Sequence, residues 1–248
     1  MKKWRGLLKE LKTKQYHPVL DAGSRIHMII VPALLETIIQ TFEINVKRLV
    51  PFYSRFQVDI TDGVFVPNKT IQITDIANLH SLAHPETIFD FHLMVNEPIK
   101  YIEEIKALHG ITLGTILIHK SVFPSYPLIP NPYSLIKFGL VLSPEDTVES
   151  IESGLLMQLP AIQIMTVSPG FQGSPFVENT LIKIEQLRKA GFKGEILIDG
   201  AVNEKTIATV LARHYKPDVL GVGSYLTKSP KEDLERRVGY LKRAIFHL

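Results

Sequence analysis

The sequence predicts an α/β chain closed into a (β/α)8 barrel, and three observations carry that prediction. Short β-branched runs recur eight times after residue 24. Segments with helical periodicity lie between most of them. The length of 248 residues suits a fold that takes roughly 250. A doubly wound open sheet is the alternative, but no G-x-G-x-x-G follows the first run.

The strand candidates are Ile26–Val31, Phe56–Ile60, Ile88–Val95, Ile111–His119, Phe138–Leu142, Ile162–Thr166, Glu195–Ile198 and Val219–Val222. Several are continuously apolar rather than alternating, which marks strands buried on both faces. Helical periodicity fills Leu34–Leu49, Ile73–Leu82, Ile99–Leu108, Thr147–Leu155, Val177–Lys189, Glu204–Arg213 and Lys231–Phe246. Ser143-Pro144-Glu145-Asp146 reads as a helix start, with a cap, a first-turn proline and early acids. Asn203 reads as the cap of the next-to-last helix. Gly191 follows Arg188 and Lys189, a helix end with terminal cations and a glycine stop. Between the fourth and fifth strands, Pro124, Pro127, Pro130 and Pro132 exclude a helix interior, so this crossover reads as a loop.

Composition removes several function classes. Hydrophobic residues make up 45% and the net charge is +3, which excludes a disordered chain. There are no cysteines, so disulfide scaffolds, cysteine–zinc sites and thiolate nucleophiles are excluded together. No apolar run approaches the roughly 20 residues of a membrane span. Charges interrupt the N-terminal segment before any signal-like apolar stretch, and a cytoplasmic location is expected.

The basicity is local. Residues 1–14 carry a net charge of +5 and the remaining chain a net charge of −2. No nucleic-acid partner is therefore expected. Trp4, Leu7, Leu8 and Leu11 recur at helical spacing, so residues 1–24 read as a basic amphipathic extension and 25–248 as the barrel.

A barrel of this kind works at the C-terminal ends of its strands. The second strand candidate ends in Gln57, Asp59 and Asp62, the third in His92, the fourth in His119 and the seventh in Asp199. Gln57 and Asp59 are two apart and share a strand face. Asp59 lies within an apolar strand, where a carboxylate is costly unless paired or liganded. Asp62 and Asp199 precede glycines, a turn-forming pattern. Glycine-bearing loops follow the last three strands: Gly170-Phe171-Gln172-Gly173, Gly200, and Gly223-Ser224. Glycines let backbone N–H groups approach an anion, and such loops in barrels often hold phosphate. Two carboxylates beside a phosphate cradle suggest proton abstraction next to a carbonyl, with return of a proton on the opposite face. A divalent metal or positioned donors would stabilise the enediolate between the two steps.

These residues also resemble a known family. Gln57-Val-Asp-Ile-Thr-Asp-Gly-Val-Phe-Val-Pro-Asn68 is similar to the second-strand signature of ribulose-phosphate 3-epimerases. Phe91-His-Leu-Met-Val95, Gly139-Leu-Val-Leu-Ser-Pro144 and Ile164-Met-Thr-Val-Ser-Pro-Gly-Phe-Gln-Gly173 follow in the family's order. Ile196-Leu-Ile-Asp-Gly200 and Gly221-Val-Gly-Ser224 complete the series, which spans roughly residues 26–230.

The resemblance implies a barrel of the ribulose-phosphate-binding type that interconverts ribulose 5-phosphate and xylulose 5-phosphate. It implies Asp59 and Asp199 as the acid/base pair. It implies a divalent ion such as zinc, iron or manganese at the positions of Gln57, Asp59, His92 and Asp199. The phosphate cradle falls on Gly170, Phe171, Gln172 and Gly173, on Gly200 and Ala201, and on Gly223 and Ser224. His92 and the shielding methionines Met94 and Met165 complete the substrate contacts. A homo-oligomer is implied as well.

The sequence departs from the family at named places. Gln57 replaces a metal-binding His, and an amide oxygen suits harder ions than an imidazole does. Ala33 replaces a substrate-contacting Ser, Thr61 a shielding Met, Val64 a His, and Ala201 and Gln172 glycines of the cradle. Two alternatives follow from these changes: another ketose phosphate as substrate, or a non-catalytic phosphosugar-binding module.

Overall fold

The computed structural model describes residues 28–76, 83–123 and 136–246. Eight parallel strands form a closed barrel in sequence order, with β8 paired back to β1. The strands are β1 (Ile29–Leu34), β2 (Arg55–Thr61), β3 (Ile88–Met94), β4 (Thr112–His119), β5 (Lys137–Leu142), β6 (Ala161–Met165), β7 (Glu195–Asp199) and β8 (Val219–Val222). Seven of the eight match the β-branched runs to within a residue or so at each end.

The first strand is displaced. The run was expected over Ile26–Val31, yet β1 runs from Ile29 through Pro32 to Leu34. Parallel pairing with both neighbours carries it: Pro32 registers with Val222, and Ala33 with Gln57. The helix expected from Leu34 therefore begins later, as α1 (Ile39–Leu49).

The outer helices are shorter than the periodicity suggested. They are α2 (Pro98–Lys106), α3 (Ser153–Leu156), α4 (Ile182–Lys189), α5 (Ile207–Leu211), α6 (Ser224–Thr227) and α7 (Leu234–Phe246). Several expected helices open on a 3-10 turn instead: Val148–Ser150, Glu178–Leu181 and Lys231–Asp233. Ile73–Ile76 is likewise a 3-10 turn, and residues 77–82 of the helix expected there lie outside the described residues. The short α6 was not expected.

Residues 143–146 form a turn and not a helix start. The Ser143 N–H donates to Asp146 Oδ2, and the Asp146 N–H to the Ser143 carbonyl, so the acid serves its own turn. Asn203 does not cap the helix expected after it: the cap position of α5 is Thr206, and Asn203 Oδ1 accepts the Lys205 N–H within the preceding turn, while Thr206 Oγ1 accepts the Asn203 N–H. Gly191 stops α4 at φ +89°, and the Phe192 N–H returns to the Leu187 carbonyl. The amphipathic extension and the prolines 124–132 lie outside the described residues.

Two apolar layers surround the strands. Side chains such as Phe42, Val46, Ile102 and Leu187 pack helices against the outer barrel face. A smaller cluster fills the interior, including Val31, Leu117, Val141, Leu197 and Val219. The N-terminal end is closed by ions. The Arg55 guanidinium contacts Glu195 through two bonds of 2.8 Å and Asp90 through one of 2.7 Å. The other Asp90 oxygen accepts the Thr115 N–H. That plug leaves the C-terminal end as the open mouth.

Candidate active site

Strand register assembles the centre. Asp59 lies beside His92 across β2–β3, and Met165 beside Asp199 across β6–β7. Facing the barrel interior, Asp59, His92 and Asp199 present ligand atoms all within 4.8 Å of one another, and all three residues are buried. Gln57 joins them as the register and the two-residue strand period require. Its Nε2 donates to Asp59 Oδ1 at 2.8 Å and to Asp199 Oδ2 at 2.7 Å. One neutral amide therefore bridges both carboxylates.

Charge in this cluster is set by burial and partners. Burial pushes the Asp59 carboxyl above its ordinary range, with the Asp199 charge adding to the rise and the His92 and Gln57 hydrogen bonds opposing it. For His92, burial disfavours the imidazolium, but hydrogen bonds to Asp199 and Asp59 outweigh it and raise the ring to about 9. His92 Nδ1 lies 3.1 Å from Asp59 Oδ1. Its Nε2 lies 3.0 Å from Nε2 of His119, whose Nδ1 lies 3.2 Å from Ser143 Oγ. Burial and the neighbouring His92 push His119 well below the ordinary histidine range. That shift favours the neutral ring, and in the tautomer with its proton on Nδ1 His119 would accept from His92 and donate to Ser143, so holding the orientation of His92.

The mouth above the centre is a cavity lined by Ala33, Asp59, Met94, Met165 and Asp199, and by the three glycine loops at 170–173, 200–201 and 223–224. Gln57 and His92 are buried behind Asp59 and Asp199. Loop shape depends on backbone that glycine permits. Gly170 has φ +105°, and a Cβ there would meet Val66 at 2.7 Å. Gly200 has φ +121°, and a Cβ would meet Val167 at 2.5 Å. Ala201 holds φ +53° in the same loop, a left-handed conformation that costs a residue with a Cβ. Gln172 Nε2 is buried in the loop without a hydrogen-bond partner among the described residues.

Some expected positions fall elsewhere. Asp62 is a turn former outside the cluster: its Oδ1 accepts the Val64 and Phe65 N–H groups, and its Oδ2 the Asn96 N–H. Those bonds hold its carboxyl below the usual range against the opposing effect of partial burial. Val64 is exposed, while Thr61 is buried with Oγ1 unpartnered among the described residues. His119 ends β4 as expected and contacts His92, and two further polar residues near the centre were not expected there: Ser143 and Gln163. Gln163 carried the same signal as Asp59, a polar side chain inside an apolar strand.

The donor set fits a divalent cation. Two carboxylates and one imidazole meet within one small space, and the Gln57 amide presents oxygen to that space when its terminal torsion turns by half a revolution.

A closed parallel barrel with paired carboxylates at its C-terminal mouth has the architecture of a β/α-barrel enzyme. Comparison with known proteins narrows this. The model of the ribulose-phosphate 3 epimerase family matches residues 29–226. The ribulose-phosphate 3-epimerase of Schizosaccharomyces pombe is 31% identical over 207 residues, covering 82% of this chain and 89% of that protein. The Chlamydia pneumoniae enzyme of the same name is 28% identical over 227 residues, covering 87% and 94%. The chain belongs to the ribulose-phosphate 3 epimerase family and is an isomerase of the epimerase class. A monomeric phosphoribosylanthranilate isomerase variant from Thermotoga maritima shares the fold, with a TM-score of 0.55 at 13% identity, covering 89% of this chain and all of that one. Among the described residues, no helix is long and apolar enough to cross a membrane.

Proposed function

We propose that this chain interconverts ribulose 5-phosphate and xylulose 5-phosphate by inverting C3, with Asp59 and Asp199 as the acid/base pair. The observation that carries the reading is the placement of two buried carboxylates from β2 and β7 at one mouth, bridged by Gln57 and flanked by His92. One carboxylate takes the C3 proton, the C2 carbonyl becomes the second oxygen of an enediolate, and the other carboxylate returns a proton to the opposite face. The upward push on Asp59 supports this role, since a carboxyl moved toward neutral pH both donates and accepts efficiently.

Asp59, His92 and Asp199 would hold a divalent cation, with Gln57 as a further oxygen donor. When bound, such an ion supplies positive charge to the enediolate oxygens. Met94 and Met165 cover the reacting carbon and exclude water. The loops at Gly170–Gly173, Gly200–Ala201 and Gly223–Ser224 take the phosphate, and the unpartnered Gln172 Nε2 gives it a side-chain donor.

The test is turnover of ribulose 5-phosphate against a panel of ketose phosphates, run on metal-stripped protein resupplied with single divalent ions. Preferred turnover of ribulose 5-phosphate supports the reading. Preferred turnover of another ketose phosphate favours the second reading, for which the small Ala33 side chain at the mouth is the observation.

A further inference from the structure

The acid/base reading leaves one interior amide unused. Gln163 stands in the middle of β6 and is 0% exposed. It points to the barrel interior with Met165, two residues on. Its Nε2 lies 3.3 Å from His92 Nδ1, 3.4 Å from Asp199 Oδ2 and 3.6 Å from Met165 Sδ. All three separations are long, so the amide sits against the centre without a strong bond to it. Its Oε1 is buried with no hydrogen-bond partner among the described residues. No bond among the described residues fixes that oxygen, so turning the amide to present it to the centre gives up only the long contacts of Nε2.

Gln57 occupies the matching position from β2, with Nε2 against both carboxylates. For each amide, a half-turn of the terminal torsion exchanges nitrogen and oxygen at little steric cost. Facing two carboxylates alone, the nitrogens turn inward. Facing a cation among those carboxylates, the oxygens do.

We propose that Gln163 is a metal ligand of this centre, so that Gln57 and Gln163 together add two amide oxygens to the donors of Asp59, His92 and Asp199. The inference rests on the cation-holding reading above and extends it to the choice of ion. Four oxygens with a single imidazole favour a hard cation, Mn²⁺ or Mg²⁺, more than a donor set with a second nitrogen would. Zinc still binds more tightly than manganese in absolute terms, as it does at most sites. The discriminating quantity is the ratio of the two affinities and how Gln163 moves it.

The experiment uses the full chain, stripped with chelator, and no substrate. Free Mn²⁺ is followed by its electron paramagnetic resonance signal, and Zn²⁺ by competition with a chromogenic chelator. Gln163→Leu, close in volume, is expected to weaken Mn²⁺ about tenfold or more, the scale on which ligand-shell changes act, and Zn²⁺ by less than about threefold. Gln163→Glu keeps an oxygen in place and is expected to hold Mn²⁺ at least as tightly as the parent chain. Circular dichroism checks that each stripped variant is folded, and Gln163→Met replaces the leucine variant if it is not. Mn²⁺ affinity unchanged in Gln163→Leu would overturn the assignment, showing that Oε1 meets only a buried water. Equal weakening of both ions would overturn it too, showing that Gln163 shapes the cavity without choosing the ion. If the parent chain takes up neither ion, the cation-holding reading itself falls, an outcome separate from a defect confined to the variants.

Discussion

The barrel buries carboxylates at both ends and holds them in opposite ways. At the N-terminal end, burial raises Asp90, and a guanidinium at 2.7 Å together with the Thr115 N–H opposes the rise. Arg55 spends its remaining fork on Glu195. Every polar partner there is permanent and charged or backbone-borne. At the C-terminal end, no guanidinium among the described residues pairs with Asp59 or Asp199. They share one amide and one imidazole, with Gln163 and Gln172 atoms unpartnered nearby. On the proposed reading, the difference separates a structural carboxylate from a reactive one. A guanidinium holds Asp90 permanently, whereas a replaceable amide and a titratable imidazole leave Asp59 and Asp199 open to a cation, a substrate oxygen or a proton.

Substitutions at the two ends should therefore fail in different ways. The largest effect belongs to the mouth. Asp199→Asn and Asp59→Asn should each lower kcat about a thousandfold or more, the upper range for loss of acid/base catalysis, with an unchanged circular dichroism spectrum. Comparable activity in either variant would remove that residue from the proton-transfer pair. At the other end, Arg55→Met should cost about 3–5 kcal/mol of stability by leaving Asp90 buried without its cation. It should leave kcat of the folded fraction near the parent value, a contrast that denaturant titration and a kinetic assay together would reveal.

Smaller effects refine the contrast. Gln57→Ala should destabilise the metal-stripped chain by about 1–3 kcal/mol, since both carboxylates lose their shared donor. Gln172→Ala should raise KM for the sugar phosphate several-fold with little change in kcat, on the order of one lost hydrogen bond of about 1 kcal/mol. Ala201→Gly should be the mildest change. Relief of the left-handed strain, about 1–2 kcal/mol, is offset by roughly 0.5–1 kcal/mol of added chain entropy. The expected result is a small rise in melting temperature with KM unaltered.

The sequence made the strands legible because parallel barrel strands are apolar on both faces and stand out as β-branched runs. It ended β1 at Val31, three residues short, because the β-branched run stops there; the strand continues because Pro32 pairs towards β8 and the pairing with β2 begins at Ala33. Helix lengths were overread, since 3-10 turns such as Glu178–Leu181 keep apolar residues at nearly helical spacing. At the mouth, Asp59, His92 and Asp199 were visible as polar residues closing apolar strands, and the structure brings all three together. Gln163 showed the same signal as Asp59, a polar side chain inside an apolar strand, but it was not picked out because it carries no charge and lies just outside the motif that begins at Ile164. The link from His92 through His119 to Ser143 was invisible for another reason: it joins three strands through side chains whose packing no spacing encodes.

The most direct test of the account is proton traffic at C3. Ribulose 5-phosphate is incubated with the metal-supplied enzyme in D2O, and deuterium at C3 of both epimers is followed by NMR for the parent chain, Asp59→Asn and Asp199→Asn. Two carboxylates acting on opposite faces predict that the parent chain forms xylulose 5-phosphate carrying one deuterium at C3. In each variant they predict loss of inversion, with any residual exchange confined to one face. Inversion that carries no solvent deuterium into C3, or inversion that persists in both variants, would contradict it.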